Sequence, residues 1–134
     1  MPRILIVDDD EGVCTAIEAL LEYEDFETVV ADSGPHGLPV LQASRFDAVI
    51  VDIFMPGMDG FETIRAIQTL DPAVPIIAIS GGTARNAGER AADFLAMATK
   101  LGAARALRKP FLQEELLEAV TGCLVAREKS GRLS

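Results

Sequence analysis

The sequence predicts an α/β fold, a doubly wound five-stranded parallel sheet with five helices on its two faces. Three observations predict it. Short apolar runs alternate along the chain with apolar stripes at helical spacing, the rhythm of repeated strand–helix units. Runs such as Ala48-Val49-Ile50-Val51 are apolar without alternation, which suits strands covered on both sides. Four of the runs lead directly into a polar residue capable of chemistry.

Taken in order, Ile4–Val7 is the first strand and enters Asp8. Val13, Ile17, Leu20 and Leu21 share one face of the first helix, and Thr28–Ala31 is the second strand. Ser33 suits the cap of a second helix and Pro35 its first turn, but Gly37 and Pro39 weaken the turns beyond it. A short or late-starting helix reaching about Ser44 is expected. Asp47–Val51 is the third strand, entering Asp52, and Phe61, Ile64, Ile67 and Leu70 stripe the third helix. Pro75–Ile79 is the fourth strand, entering Ser80. Ala91, Phe94, Leu95, Ala98 and Leu101 stripe the fourth helix, and Ala104–Leu107 is a weak fifth strand before Lys109. Leu116, Leu117, Val120 and Leu124 belong to a last helix. The domain is expected to span residues 1–126, with 127–134 a frayed polar tail.

The 134 residues suit one domain with one core, with no output domain expected after about residue 126. A hydrophobic content of 49% with 25% charged residues is that of a folded protein. The net charge of −9 argues against direct contact with nucleic acid. The apolar runs are too short for a membrane span or a signal peptide. Cys14 and Cys123 stand far apart without metal-ligand spacing, which points to reduced thiols in the cytoplasm. Residues 1–62 hold 14 acids and 2 bases, whereas residues 63–134 hold 7 acids and 10 bases. That asymmetry is either solvated surface or an acidic site built by the first half.

In open sheets of this kind, sites lie beyond the carboxyl ends of the strands. If the sheet is wound in the order 2-1-3-4-5, Asp8-Asp9, Asp52, Ser80 and Lys109 gather at one edge. Crowded carboxylates need a cation, since like charges raise one another's pKa. A hard, oxygen-seeking ion such as Mg²⁺ fits, and without a His/Cys cluster zinc does not. A carboxylate beside Mg²⁺, an ammonium and a hydroxyl is equipped to attack a phosphoryl group. The carboxylate is then the nucleophile, Lys109 neutralises the transferring oxygens and Ser80 can hydrogen-bond one of them.

These residues resemble the receiver domain of bacterial two-component response regulators, over roughly residues 3–125. Ile-Leu-Ile-Val-Asp8-Asp9 is similar to the family's acidic pair. Val-Ile-Val-Asp52-Ile-Phe-Met-Pro56-Gly-Met-Asp59-Gly60 is similar to its phosphoacceptor strand and loop. Ile-Ala-Ile-Ser80-Gly resembles its switch hydroxyl, and Leu-Arg-Lys109-Pro110-Phe111 its lysine and following proline. The resemblance implies the flavodoxin-like strand order 2-1-3-4-5 and a phosphoryl group accepted on Asp52. The donor would be a phosphohistidine on a sensor histidine kinase or a histidine phosphotransfer protein. It implies that Asp9, Asp52 and the backbone carbonyl of Phe54 hold Mg²⁺ directly and that Asp8 does so through water. The run of three acids permits a shift by one, but strand register favours Asp8-Asp9, with Asp10 at the helix entry. Lys109–Pro110 is a candidate cis peptide.

The sequence departs from the family pattern in three places. Ala106 stands where an aromatic switch residue is usual, which puts the usual readout in doubt. The span from Ser80 to Lys109 is longer than usual, the surplus lying in Gly81–Glu89. That stretch is either a tolerated insertion or a mobile lid; as a lid, its amide exchange over 81–90 would change on phosphorylation. Phe54 stands where polar residues are frequent, which predicts slow loss of the phosphoryl group, measurable as its decay in the presence of Mg²⁺.

The other polar residues carry blander readings. His36 is expected in a Gly/Pro-rich turn without a catalytic role, and Arg105 and Arg108 as surface or partner contacts. The leading function is a stand-alone receiver acting through protein contacts, as monomer or weak homodimer, with an unidentified downstream protein. It would catalyse its own phosphorylation and dephosphorylation without being a conventional enzyme. The alternative is a receiver-like interaction module that does not need phosphorylation. An aspartate-dependent phosphatase would want a second acid at Phe54, and a flavin protein would not place Asp8-Asp9-Asp10-Glu11 against a phosphate.

Overall fold

Four runs rich in Ile, Val and Ala and a fifth, Arg-Ala-Leu-Arg, form five strands in the computed structural model of the chain, which describes residues 2–53, 60–80 and 96–133. The elements are β1 (Arg3–Val7), α1 (Glu11–Tyr23), β2 (Glu27–Ala31), α2 (Gly34–Ala43), β3 (Ala48–Asp52), α3 (Gly60–Leu70) and β4 (Ile76–Ser80). A fourth helix, α4, is described over residues 96–100. It is followed by β5 (Arg105–Arg108) and α5 (Gln113–Leu133). All strand pairs are parallel, in the order β2-β1-β3-β4-β5. Leu5 lies between Val29 and Val49, and Val51 beside Ala78.

The two-residue period of a strand sends alternate side chains to opposite layers. Leu5, Val7, Val49, Val51 and Ala78 pack with Leu41 of α2, Ile64 and Ile67 of α3 and Ala98 of α4. Ile4, Ile6, Ile50, Ile77 and Ile79 pack with Cys14, Ile17 and Leu21 of α1 and Leu116 and Val120 of α5. Every residue of β3 and β4 is buried, which is why their sequences show no polar alternation. Ile50, fully buried at the centre, makes a direct test. Ile50→Ala is expected to cost about 2–5 kcal/mol, read as a lower urea midpoint at unchanged slope.

Three expectations need correction. α2 is neither short nor late: it runs ten residues from Gly34, with Ser33 accepting the His36 N–H at 3.2 Å. Gly37, expected to weaken it, lets the helix lie close to the sheet, since a Cβ there would sit 3.1 Å from Val7 Cγ2. Pro35 and Pro39 both fall on the exposed side, where the carbonyl left without its helical donor can meet water. α5 does not stop at residue 126 but continues to Leu133, through Ala126, Arg127, Glu128 and Lys129, all good helix formers. The strands β3, β4 and β5 each end one residue later than expected, so Asp52, Ser80 and Arg108 lie inside them. Among the described residues, no helix is long and apolar enough to cross a membrane.

Candidate functional site

Parallel strands all end at the same edge of the sheet, so four carboxyl ends bring together groups distant in sequence. β1 delivers Asp8, β3 Asp52, β4 Ser80 and β5 Lys109. The carboxylates of Asp8, Asp9 and Asp52 each offer an oxygen within 4.8 Å of the others. Asp8 is 1% exposed and Asp52 4%, whereas Asp9 faces solvent. Two of the three charges are therefore withdrawn from water and the third is open to it.

Lys109 answers part of that charge. Its Nζ donates to Asp8 Oδ2 at 3.0 Å and to Asp52 Oδ2 at 3.4 Å. Burial pulls the ammonium pKa down, but Asp52 and Asp8 together outweigh it and leave the value above ordinary. The Lys109 N–H donates to the Ser80 carbonyl at 2.8 Å, which pins the lysine to the end of β4. The Lys109–Pro110 peptide is cis, as the resemblance implied.

Asp8 is fixed at every polar atom. Its N–H donates to the Ala31 carbonyl at 3.1 Å, and its own carbonyl accepts the Cys14 thiol at 3.3 Å. Its Oδ1 accepts the Asp10 N–H at 3.0 Å, leaving Oδ2 to Lys109. Sequence reasoning missed both the Cys14 and the Asp10 contacts. The stripe containing Ile17 and Leu21 signals a buried face near Cys14 but not that bond. Burial, with smaller contributions from Asp8 and other acids, pushes the Cys14 thiol up to about 11. At pH 8 only about one thiol in a thousand is then ionised. Iodoacetamide is expected to leave Cys14 unmodified in the folded protein and to alkylate it in urea, followed by mass.

Ser80 Oγ is fully buried and has no hydrogen-bond partner among the described residues. An orphaned hydroxyl in a dry location costs free energy unless something else completes it. Three carboxylates and the Lys109 ammonium meet at this one edge of the sheet. The hard oxygen donors of Asp8, Asp9 and Asp52 fit a divalent ion such as Mg²⁺. Phe54, its carbonyl included, and the 81–90 loop lie outside the described residues.

Gly60 begins α3 and donates its N–H to the Ile53 carbonyl at 3.0 Å. A Cβ there would fall 2.3 Å from Ile53 Cα and 2.7 Å from the Asp52 carbonyl oxygen. The helix start thus sits directly on the strand that carries Asp52. Ala106, paired in register with Ala78, is half-buried. His36 is not in a turn but on the exposed first turn of α2, where its Nδ1 pairs with Asp32. It lines a cleft between α1, β2 and α2 that opens beside Asp8 and Asp9. Arg105 and Arg108 are exposed.

Comparisons with known proteins show the family and the fold. A family model described as the response regulator receiver domain matches residues 4–121. The chain is 37% identical over 131 residues to the response regulator protein FleR of Pseudomonas aeruginosa, covering 98% of this chain and 25% of that protein. It is 34% identical over 126 residues to the transcriptional regulatory protein PrrA of Mycobacterium tuberculosis, covering 94% of this chain and 51% of the relative. The chain thus spans about a quarter to a half of the length of these relatives. A receiver domain structure from Clostridium thermocellum superposes with a TM-score of 0.85 at 28% identity, covering 96% of this chain and 98% of that one. A CheY-like receiver domain structure from Methanospirillum hungatei gives 0.84 at 28% identity, covering 97% and 98%.

Proposed function

Since the chain belongs to the response regulator receiver family of two-component systems, we propose that it is a phosphoacceptor. Asp52 takes a phosphoryl group from a phosphohistidine on a sensor histidine kinase or histidine phosphotransfer protein. The observation that carries the reading is the Lys109 ammonium lying between Asp8 and Asp52, with Asp9 at the open side of the same cluster.

An oxygen of Asp52 forms the new O–P bond as the P–N bond of the phosphohistidine breaks, and the departing imidazole leaves neutral by retaining or taking up a proton. Lys109 offsets charge on the transferring oxygens. Ser80, whose hydroxyl has no partner among the described residues, donates to one of them. Asp8, Asp9 and Asp52, with the carbonyl of Phe54, would hold Mg²⁺, Asp8 doing so through water. When bound, the ion supplies the positive charge that lets a carboxylate meet a phosphoryl group. Burial of Asp52 keeps water from competing for the nucleophile's place. The signal passes to a downstream protein in the cytoplasm through surface contacts.

The test is intact mass after incubation with acetyl phosphate. Wild type is expected to gain a single phosphoryl adduct that depends on Mg²⁺, and Asp52→Asn to gain none. Half-buried Ala106, which has no ring to move, favours a second reading as an interaction module independent of phosphorylation. Absence of any adduct on folded, Mg²⁺-binding protein, also with a phosphorylated histidine donor, would favour that module.

A further inference from the structure

We propose that Asp10 is a positioning residue: by capping α1 it holds its own backbone N–H on Asp8 and thereby sets the affinity of the acidic cluster for a divalent cation. The proposal rests on the reading of that cluster as a cation site. Asp10 has the extended backbone of a helix cap, φ −90° and ψ 107°. Its Oδ1 accepts the N–H groups of Gly12 at 2.9 Å and Val13 at 3.2 Å. These bonds hold residue 10 outside the helix while its carbonyl accepts the Cys14 N–H at 3.0 Å. In that conformation its N–H reaches back to Asp8 Oδ1 at 3.0 Å.

The effect on Asp8 is directional. With Oδ2 on Lys109 and Oδ1 on Asp10, the carboxylate is held at both ends and cannot turn about its last bond. Without the cap, residue 10 has no reason to keep its extended backbone, and Oδ1 loses its donor. Gly12 belongs to the device, because a Cβ there would press on Asp10 Oδ1 at 3.3 Å. The Asp10 carboxylate itself is exposed, turned to the helix and outside the cluster formed by Asp8, Asp9 and Asp52. Its influence therefore runs through the orientation of Asp8. Partners that orient a direct ligand typically change metal affinity by 10- to 100-fold; Asp8, placed to meet the ion through water, stands one step further out, so the effect falls at or below the lower end of that range.

Asp10→Ala and Asp10→Asn in the full chain separate the possibilities, with Mg²⁺ alone titrated calorimetrically and amide exchange at residue 10 followed without the ion. Asp10→Ala is expected to weaken Mg²⁺ binding by about three- to tenfold and to speed exchange at residue 10, with the fold retained by circular dichroism. Asp10→Asn keeps the accepting oxygen without the charge and is expected to stay within about twofold of wild type. Unchanged affinity and exchange in Asp10→Ala would overturn the proposal. An equal loss in both variants would too, because the cause would then be charge. If wild type itself takes up no Mg²⁺, the cation reading fails separately, and so does the affinity role assigned to Asp10. Exchange at residue 10 then shows only whether the cap holds the backbone. If Asp10→Ala does not fold, Asp10→Gly removes the same acceptor at less cost to the helix and carries the same expectations.

Discussion

Lys109→Met is expected to slow phosphoryl adduct formation by at least about 100-fold, the scale on which a single charge-stabilising donor acts in group transfer. It is also expected to destabilise the protein by about 3 kcal/mol, because two buried carboxylates lose the cation between them. The two effects can be told apart. Mg²⁺ binding to the folded state of the variant should recover stability by mass action, visible as a rise in thermal midpoint with ion concentration. It should not recover the rate, since an ion held by the carboxylates does not replace an ammonium reaching the transferring oxygens. Lys109→Arg keeps the charge but offers a planar fork in place of a point donor. It is expected to restore most of the stability and little of the transfer. A Lys109→Met protein that acquires the adduct at the wild-type rate would remove the lysine from the mechanism.

Gly60→Ala is expected to cost about 3 kcal/mol or more, among the largest effects of a single added methyl. The new Cβ would meet backbone, Ile53 Cα at 2.3 Å and the Asp52 carbonyl oxygen at 2.7 Å. No side-chain rotation can relieve that, so either α3 moves away or β3 shifts and carries Asp52 with it. Gly37→Ala is the control. There the contact is with Val7 Cγ2 at 3.1 Å, a side chain that can give way, and the cost should be nearer 1 kcal/mol. Urea unfolding of the two variants side by side checks the ranking. Equal stabilities would mean that the start of α3 does not press on the strand.

Much of this was legible in the sequence for a physical reason. A parallel sheet buried on both faces leaves long unbroken apolar runs, and its chemistry lies just past their ends. Asp8, Asp52, Ser80 and Lys109 could therefore be named from position alone. What escaped was of several kinds, close approach first among them. Gly37 carries a poor helix propensity, and only the nearness of Val7 shows why α2 runs through it. Residues 127–133 carry no apolar stripe, yet α5 continues across them, entering through the helix formers Arg127, Glu128 and Lys129. His36 among glycines and prolines suggested a turn, whereas the Ser33 cap makes it the first turn of a helix. The Asp10 N–H on Asp8 is a backbone bond, and no choice of side chain announces it.

The pair formed by Lys109 and Asp8 joins residues 101 apart in the chain. One partner follows the first strand and the other follows the last, so the pair can form only after β5 has docked against β4. A chain still emerging from the ribosome, or one whose final strand has come loose, has its acidic residues without their ammonium. The proposed phosphoryl transfer, which needs that ammonium, is in this way tied to completion of the fold. Bringing such distant residues together costs loop-closure entropy before their contact rewards it, so the charged centre reports on whether the two ends of the sheet have met.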